Sequence, residues 1–154
     1  LQIHGVAFGS TRIGVHCGDV VVGNFGGNTI FDYRAMGDAV NTAARLESFI
    51  KYLGTTMCVS GAIRNATKNI PMRPVGEVIF VGKSNAISVY EPLVDSDNDP
   101  EYEQAYALLK SKNPAARSAF SKLQKMRPQD GLVAFHSRRL SAGETGDLIR
   151  MVDK

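Results

Sequence analysis

Apolar positions run along this chain in two rhythms. In "TRIGVHCG" and then "DVVVGNFGGN" they alternate with polar or small residues, a period of two that predicts two strands, and the intervening Gly-Asp predicts a tight hairpin between them. "TIFDYRAMG" reads as a third strand. From about Asp38 to Tyr52 the period lengthens: Ala39, Ala43, Leu46 and Ile50 recur at helical spacing, and Gly54 follows as a C-terminal stop. "TTMCVSG" is then a strand, and "SGAIRNATKN" a short helix with Ser60 as its cap. "MRPVGEVIF" and "AISVYEPL" are two strands that "VGKSN" joins as a hairpin. This order predicts an α+β domain, a mixed sheet with helices packed on one face.

At "VDSDNDP", residues 94–100, the chain turns acidic and turn-forming, which marks a linker between a first unit, 1–93, and a second, 101–154. In the second unit "EYEQAYALLKSK", "NPAARSAFSKLQKMRP" and "DGLVAFHSRRLSAG" read as three short helices. Pro114 sits near the start of the middle one and Pro128 just past its end, where proline is tolerated. The spacing, with small residues at Ala105, Ala115 and Ala116, resembles one tetratricopeptide repeat. A solenoid needs several such units to bury its faces, which favours helices that cap the sheet domain or extend its dimer surface.

Composition narrows the classes. A chain of 154 residues that is 44% hydrophobic and 21% charged can bury a core. The net charge of +3 is spread without a block of one sign, which excludes a basic nucleic-acid patch. No apolar run approaches the roughly 20 residues that span a bilayer, and no signal peptide opens the sequence. Cys17 and Cys58 lack the close spacing of a zinc or redox motif, and both read as buried free thiols in a reducing compartment. The expected location is cytoplasmic.

The helix beginning at Asp38 raises the chemical question. Its apolar stripe leaves Asn41, Arg45 and Ser48 on the opposite side. That side could be an ordinary solvated face. However, Thr42, Ala43 and Ala44 surround the amide and guanidinium where a solvated face would carry Glu and Lys, and a guanidinium fork beside an amide suits a phosphate or developing oxyanion.

The succession "RIGVHCGDVVVGNFGG", "FDYRAMGDAVNTAARLES", "TTMCVSGA" and "GEVIFVGKSNAISVYEPL" resembles the C-terminal half of the class III adenylate/guanylate cyclase catalytic domain, over roughly residues 11 to 93. The resemblance implies a ferredoxin-like α+β fold, here without its N-terminal half, working as a head-to-tail homodimer. Nucleotide, ATP or GTP, would bind between subunits and be converted to a 3′,5′-cyclic monophosphate and pyrophosphate in intracellular signalling. It implies that Asn41 orients the ribose and that Arg45 stabilises charge on the α-phosphate. It places Arg34 at a base-reading position, Ala35, Met36 and Val40 along the base pocket, and Lys83 against the phosphates.

Arg34 can donate to a base but not accept from the adenine amino group, so purine choice stays open. Val81 stands where the family often has a lysine. The Mg²⁺ or Mn²⁺ of the family would be held by aspartates of the N-terminal half, and Asp19 and Asp38, each beside a glycine, and Asp32 read as turn and cap residues rather than metal ligands. This chain alone should therefore not catalyse. The alternatives are a degraded cyclase domain serving as a dimerisation or nucleotide-sensing module, and a tail that docks a protein partner.

His4, His16 and His136 form no cluster, and His16 reads as a hydrogen-bonded core or interface residue. "GNFGGN" matches neither the dinucleotide-binding nor the P-loop glycine pattern and reads as a flexible hairpin arm. No nucleophile elbow is present.

Overall fold

A computed structural model describes residues 2–3, 6–7, 9, 11–26, 31–67, 69–93 and 98–151. The expectations for His4, for 27–30 of the glycine-rich arm and for 94–97 of the linker lie outside these residues. Two short strands, β1 (Gln2–Ile3) and β2 (Val6–Ala7), pair antiparallel at the start. The main sheet is built from β3 (Ile13–Val15), β6 (Met57–Ser60), β7 (Met72–Ile79), β8 (Ile87–Pro92) and β9 (Leu148–Arg150), in the order β3-β6-β8-β7-β9. The two edge strands run parallel to their neighbours and the inner pairs are antiparallel. The helices are α1 (Asp38–Leu53), α2 (Gly61–Ala66), α3 (Pro100–Lys110), α4 (Ala115–Met126) and α5 (Gly131–Ser141). The architecture is the mixed α+β one expected.

Helix α1 forms where the periodicity places it, burying Leu46, Phe49, Ile50 and Leu53. Gly54 ends it in the left-handed conformation, φ 70°, with its N–H on the Ile50 carbonyl. Two glycines let α1 sit unusually close to its neighbours. A Cβ on Gly14 of β3 would lie 2.4 Å from the Ala43 carbonyl oxygen, and one on Gly131 at the start of α5 would lie 2.0 Å from that of Gly54. Phe49 adds edge-to-face contacts with Phe80 and Phe135, at centroid distances of 6.0 and 6.1 Å.

The expected hairpin joining the first two strands does not form. Ile13–Val15 pairs in parallel with Met57–Val59, while β4 (Val21–Asn24) pairs antiparallel with β5 (Tyr33–Met36) as a separate two-stranded arm. Alternation reveals strands but not their partners, and the flush contact of Gly14 with α1 commits β3 to the main sheet. Cys17 is exposed, not buried, because it lies in the connection after β3. Cys58, inside β6, is buried, and burial pushes its thiol up to about 12. Ser60 precedes α2 but makes no side-chain cap; its hydroxyl instead meets His16 Nδ1 at 2.8 Å, the hydrogen bond expected for that histidine.

The tail supplies three helices as read, and β9 in addition. Its apolar residues belong to the same core cluster as the sheet: Tyr102, Leu109, Phe120, Leu132 and Ile149 join Leu46, Val75, Val78 and Val89. Ion pairs fix the junction. Arg73 of β7 grips Asp130, the N-cap of α5, through both terminal nitrogens at 2.6 and 2.8 Å, and its Nε donates to Glu91 at 2.7 Å. Asp99, the N-cap of α3, accepts from Arg127 at 2.7 Å. Burial alone would raise the Asp130 carboxyl, but the Arg73 guanidinium and the Val133 amide outweigh it and hold it below the usual range. Removing one partner from such a buried pair typically costs about 3 to 5 kcal/mol.

His136 of α5 is fully buried among Tyr102, Tyr106, Phe120 and Phe135, with neither ring nitrogen partnered among the described residues. Burial, reinforced by the positive charges of Arg139 and Arg73 and opposed by the Val75 backbone and by Asp130, drops its pKa from 6.5 to about 3. The unfolded chain therefore takes up a proton that the folded one refuses, so this stability is complete above pH 6.5 and is lost as pH falls toward 3. Between pH 7 and pH 5 the loss should be about 2 kcal/mol. Denaturant unfolding of the parent and of His136→Leu checks it: the variant should lose that pH dependence, whereas an equal slope in both would contradict the assignment.

Candidate functional site

The outer face of α1 carries Asn41, Arg45, Ser48 and Tyr52, spaced at three and four residues so that they form one stripe opposite the buried one. This stripe opens into a cleft of about 370 Å³. Phe80 and Val81, which follow β7, form its second wall, and Met151, which follows β9, closes one side. Asn41 is exposed and Arg45 half-buried. An Arg45 Nη1 hydrogen donates to the Val81 carbonyl oxygen, which orients the guanidinium across the cleft. No carboxylate among the described residues pairs with it. The site thus presents a fixed cation and an amide beside a hollow with an apolar floor, the arrangement that strengthens binding of an anion.

The structure brings together only part of the expected set. Asn41 and Arg45 share the cleft. Lys83, in the β7–β8 turn, bonds to the Asp38 carboxylate at the head of α1. That hydrogen bond, with the nearby charges of Lys83, Arg45 and His16, holds the Asp38 carboxyl below its ordinary 3.8. Arg34, Ala35 and Met36 lie on β5, which leads through Gly37 into α1, and Val40 sits on the first turn of α1; none of the four lines the cleft. Arg34 pairs with Asp32 at 2.5 Å. Lys51, Tyr52, Phe80 and Met151 line the cleft without having been singled out in the sequence. Tyr52 continues the Asn41–Arg45–Ser48 spacing and was legible on that ground, but nothing local marks Met151.

The β4–β5 arm exposes apolar side chains on both strands: Val21 is 69% accessible, Tyr33 75%, and Phe31 just before β5 80%.

Among the described residues, no three His, Cys, Asp or Glu side chains gather into a metal-binding set. Asp38, at the head of α1, is paired with Lys83.

Comparison with known proteins adds identity to this geometry. The profile of the adenylate and guanylate cyclase catalytic domain matches residues 6–90. Adenylate cyclase 1 of Rhizobium meliloti is 43% identical over 82 residues, 53% of this chain and 12% of that protein. The adenylate cyclase of Anabaena cylindrica is 36% identical over 86 residues, 53% of this chain and 17% of its own length. A terminal-differentiation specific adenylate cyclase of Dictyostelium discoideum is 30% identical over 105 residues, covering 64% of this chain and 5% of that protein. A solved bacterial light-regulated adenylyl cyclase aligns with a TM-score of 0.42 at 29% identity, over 49% of this chain and 21% of the other. The chain thus spans a small part of each relative it matches.

The Lys83–Asp38 pair gives a direct check on the local geometry. In a carboxyl-resolved NMR titration Asp38 should titrate below 3.8, and in Lys83→Met it should move upward. An unchanged Asp38 titration in the variant would show that the pair does not exist in solution.

Proposed function

This chain belongs to the adenylate and guanylate cyclase catalytic-domain family, and we propose that it carries the ribose- and α-phosphate-binding helix of a cyclase that converts ATP to 3′,5′-cyclic AMP and pyrophosphate. The observation that carries the reading is the pairing of Asn41 and Arg45 on one stripe of α1, facing a cleft and free of carboxylates among the described residues.

In this reading the 3′-oxygen of the ribose attacks the α-phosphorus. The new bond joins that oxygen to phosphorus, the bond to the bridging oxygen breaks with its electron pair, and pyrophosphate departs. The hydroxyl proton passes to solvent or to a base beyond the residues described. Asn41 orients the sugar by hydrogen bonding, and Arg45 meets the charge that builds on the α-phosphate oxygens. Because phosphoryl transfer is catalysed chiefly by positioning and charge stabilisation, a pre-oriented guanidinium is the element that matters most. The Val81 carbonyl supplies that orientation.

Arg34, Ala35, Met36 and Val40 occupy the stretch leading into α1 and would meet the base at the N-terminal end of the cleft. The names of the relatives favour ATP, while Arg34 is also able to donate to a guanine carbonyl. The Mg²⁺ or Mn²⁺ that the family implies would be held by carboxylates outside the described residues, as expected of the other half of a ferredoxin-like cyclase domain. Its chemistry would be to neutralise the triphosphate. A second copy of the chain is the natural cover for the exposed β4–β5 arm, which makes a homodimer part of the proposal. No described helix is long and apolar enough to cross a membrane.

The test is a cyclase assay, with ATP and GTP in turn, on a polypeptide joining this chain to the metal-binding half of the domain. Arg45→Ala should lower turnover by about 10² or more. Turnover close to that of the parent would reject the role given to Arg45.

A further inference from the structure

We infer that Phe135 of α5, which lies beyond the family match, is a positioning residue for Arg45: through Phe49 and Phe80 it fixes the Val81 carbonyl that aims the guanidinium. The inference rests on the role given to Arg45 above and deepens it.

Little else directs that guanidinium. Among the described residues Arg45 makes one side-chain hydrogen bond, to the Val81 carbonyl, and pairs with no carboxylate. Its direction therefore follows the position of Val81. Val81 lies just past β7, in a turn closed by the Lys83 amide on the Phe80 carbonyl at 2.9 Å, so the buried ring of Phe80 anchors the peptide that carries the acceptor. That ring rests on Phe49, which stands one helical turn after Arg45 on α1. Phe49 also meets Phe135, and it stands perpendicular to both neighbours, at 89° to Phe80 and 87° to Phe135. One ring of α1 is thus gripped by the sheet and by the tail. Without Phe135, Phe49 gains room to turn, Phe80 loses its seat, and Val81 shifts with it.

The seam between α5 and α1 leaves Phe135 little freedom of its own. Gly131, Phe135 and Arg138 follow one another at four and three residues and so share one stripe of α5. All three meet α1: Gly131 lies against Gly54, Phe135 against Phe49, and Arg138 donates to the Tyr52 carbonyl at 3.2 Å. A carbonyl in the last turn of a helix has no partner within it, so Arg138 satisfies one that α1 leaves open.

The test sets Phe135→Leu against Phe120→Leu, which removes a buried ring of the same tail that touches Tyr102 and His136 instead of Phe49. In nitrogen-resolved NMR spectra of this chain, the terminal N–H protons of Arg45 should be distinct in the parent and in Phe120→Leu, and averaged in Phe135→Leu. In the joined polypeptide described above, Phe135→Leu should lower kcat about tenfold or more with KM little changed, since a misplaced group costs rate. Phe120→Leu should leave kcat near that of the parent. In an Arg45→Ala background the effect of Phe135→Leu on kcat should vanish, because nothing is left to aim. Circular dichroism checks that each variant is folded; if Phe135→Leu is not, Phe135→Met, which is closer in volume but lacks the ring, takes its place with the same expected outcomes. Averaged Arg45 signals in the parent, a Phe135 variant that matches Phe120→Leu in either readout, or an effect that persists in the Arg45→Ala background would each overturn the inference while leaving the role of Arg45 to its own variant. Turnover of Arg45→Ala near that of the parent would overturn both.

Discussion

Helix α1 is held between the sheet and α5 by contacts that admit no side chain: Gly14 lies against the backbone of its middle turns, and Gly131 against Gly54 at its end. This double approach fixes the rotation of α1 about its own axis. One face carries Leu46, Phe49, Ile50 and Leu53 into the core, so the opposite face must present Asn41, Arg45 and Ser48 outward. Chemistry and folding are therefore two sides of one helix. A change that turned α1 by a quarter rotation would cost core burial and would also carry the guanidinium out of the cleft.

The tail takes part in that constraint. Phe135 packs edge-on against Phe49, Arg138 donates to the Tyr52 carbonyl at 3.2 Å, and the Met151 amide donates to the Ile79 carbonyl at 3.0 Å. Arg73 holds the start of α5 to β7 through Asp130, and Arg139 holds the start of β9 by donating to the Leu148 carbonyl at 2.9 Å. The family match ends at residue 90, yet a wall of the cleft comes from residue 151. Residues beyond the recognised region thus shape the site that the recognised region defines.

Much of this was legible from the chain. The change of period at Asp38 placed α1, and Gly54 marked its end to within a residue. The late β-hairpin and the three tail helices followed from local pattern. Pairing was not legible: β3 alternates like a hairpin strand, but its partner is β6, more than forty positions along, and only the contact of Gly14 with α1 explains the choice. Three residues of β9 are too few to show a period. Within the site, Asn41 and Arg45 stood out because small residues surround them. Lys51 and Met151 did not, since a lysine in a last turn and a methionine after a short strand look ordinary until the cleft joins them.

The central claim is that a nucleotide lies along the outer stripe of α1. Amide and side-chain NMR shifts, followed while a non-hydrolysable ATP analogue and Mg²⁺ are added to this chain, test it most directly. The account predicts saturable changes at Asn41, Arg45 and Ser48, with α4, remote from the cleft, left unchanged. Silence along α1, or changes confined to another surface, would contradict it.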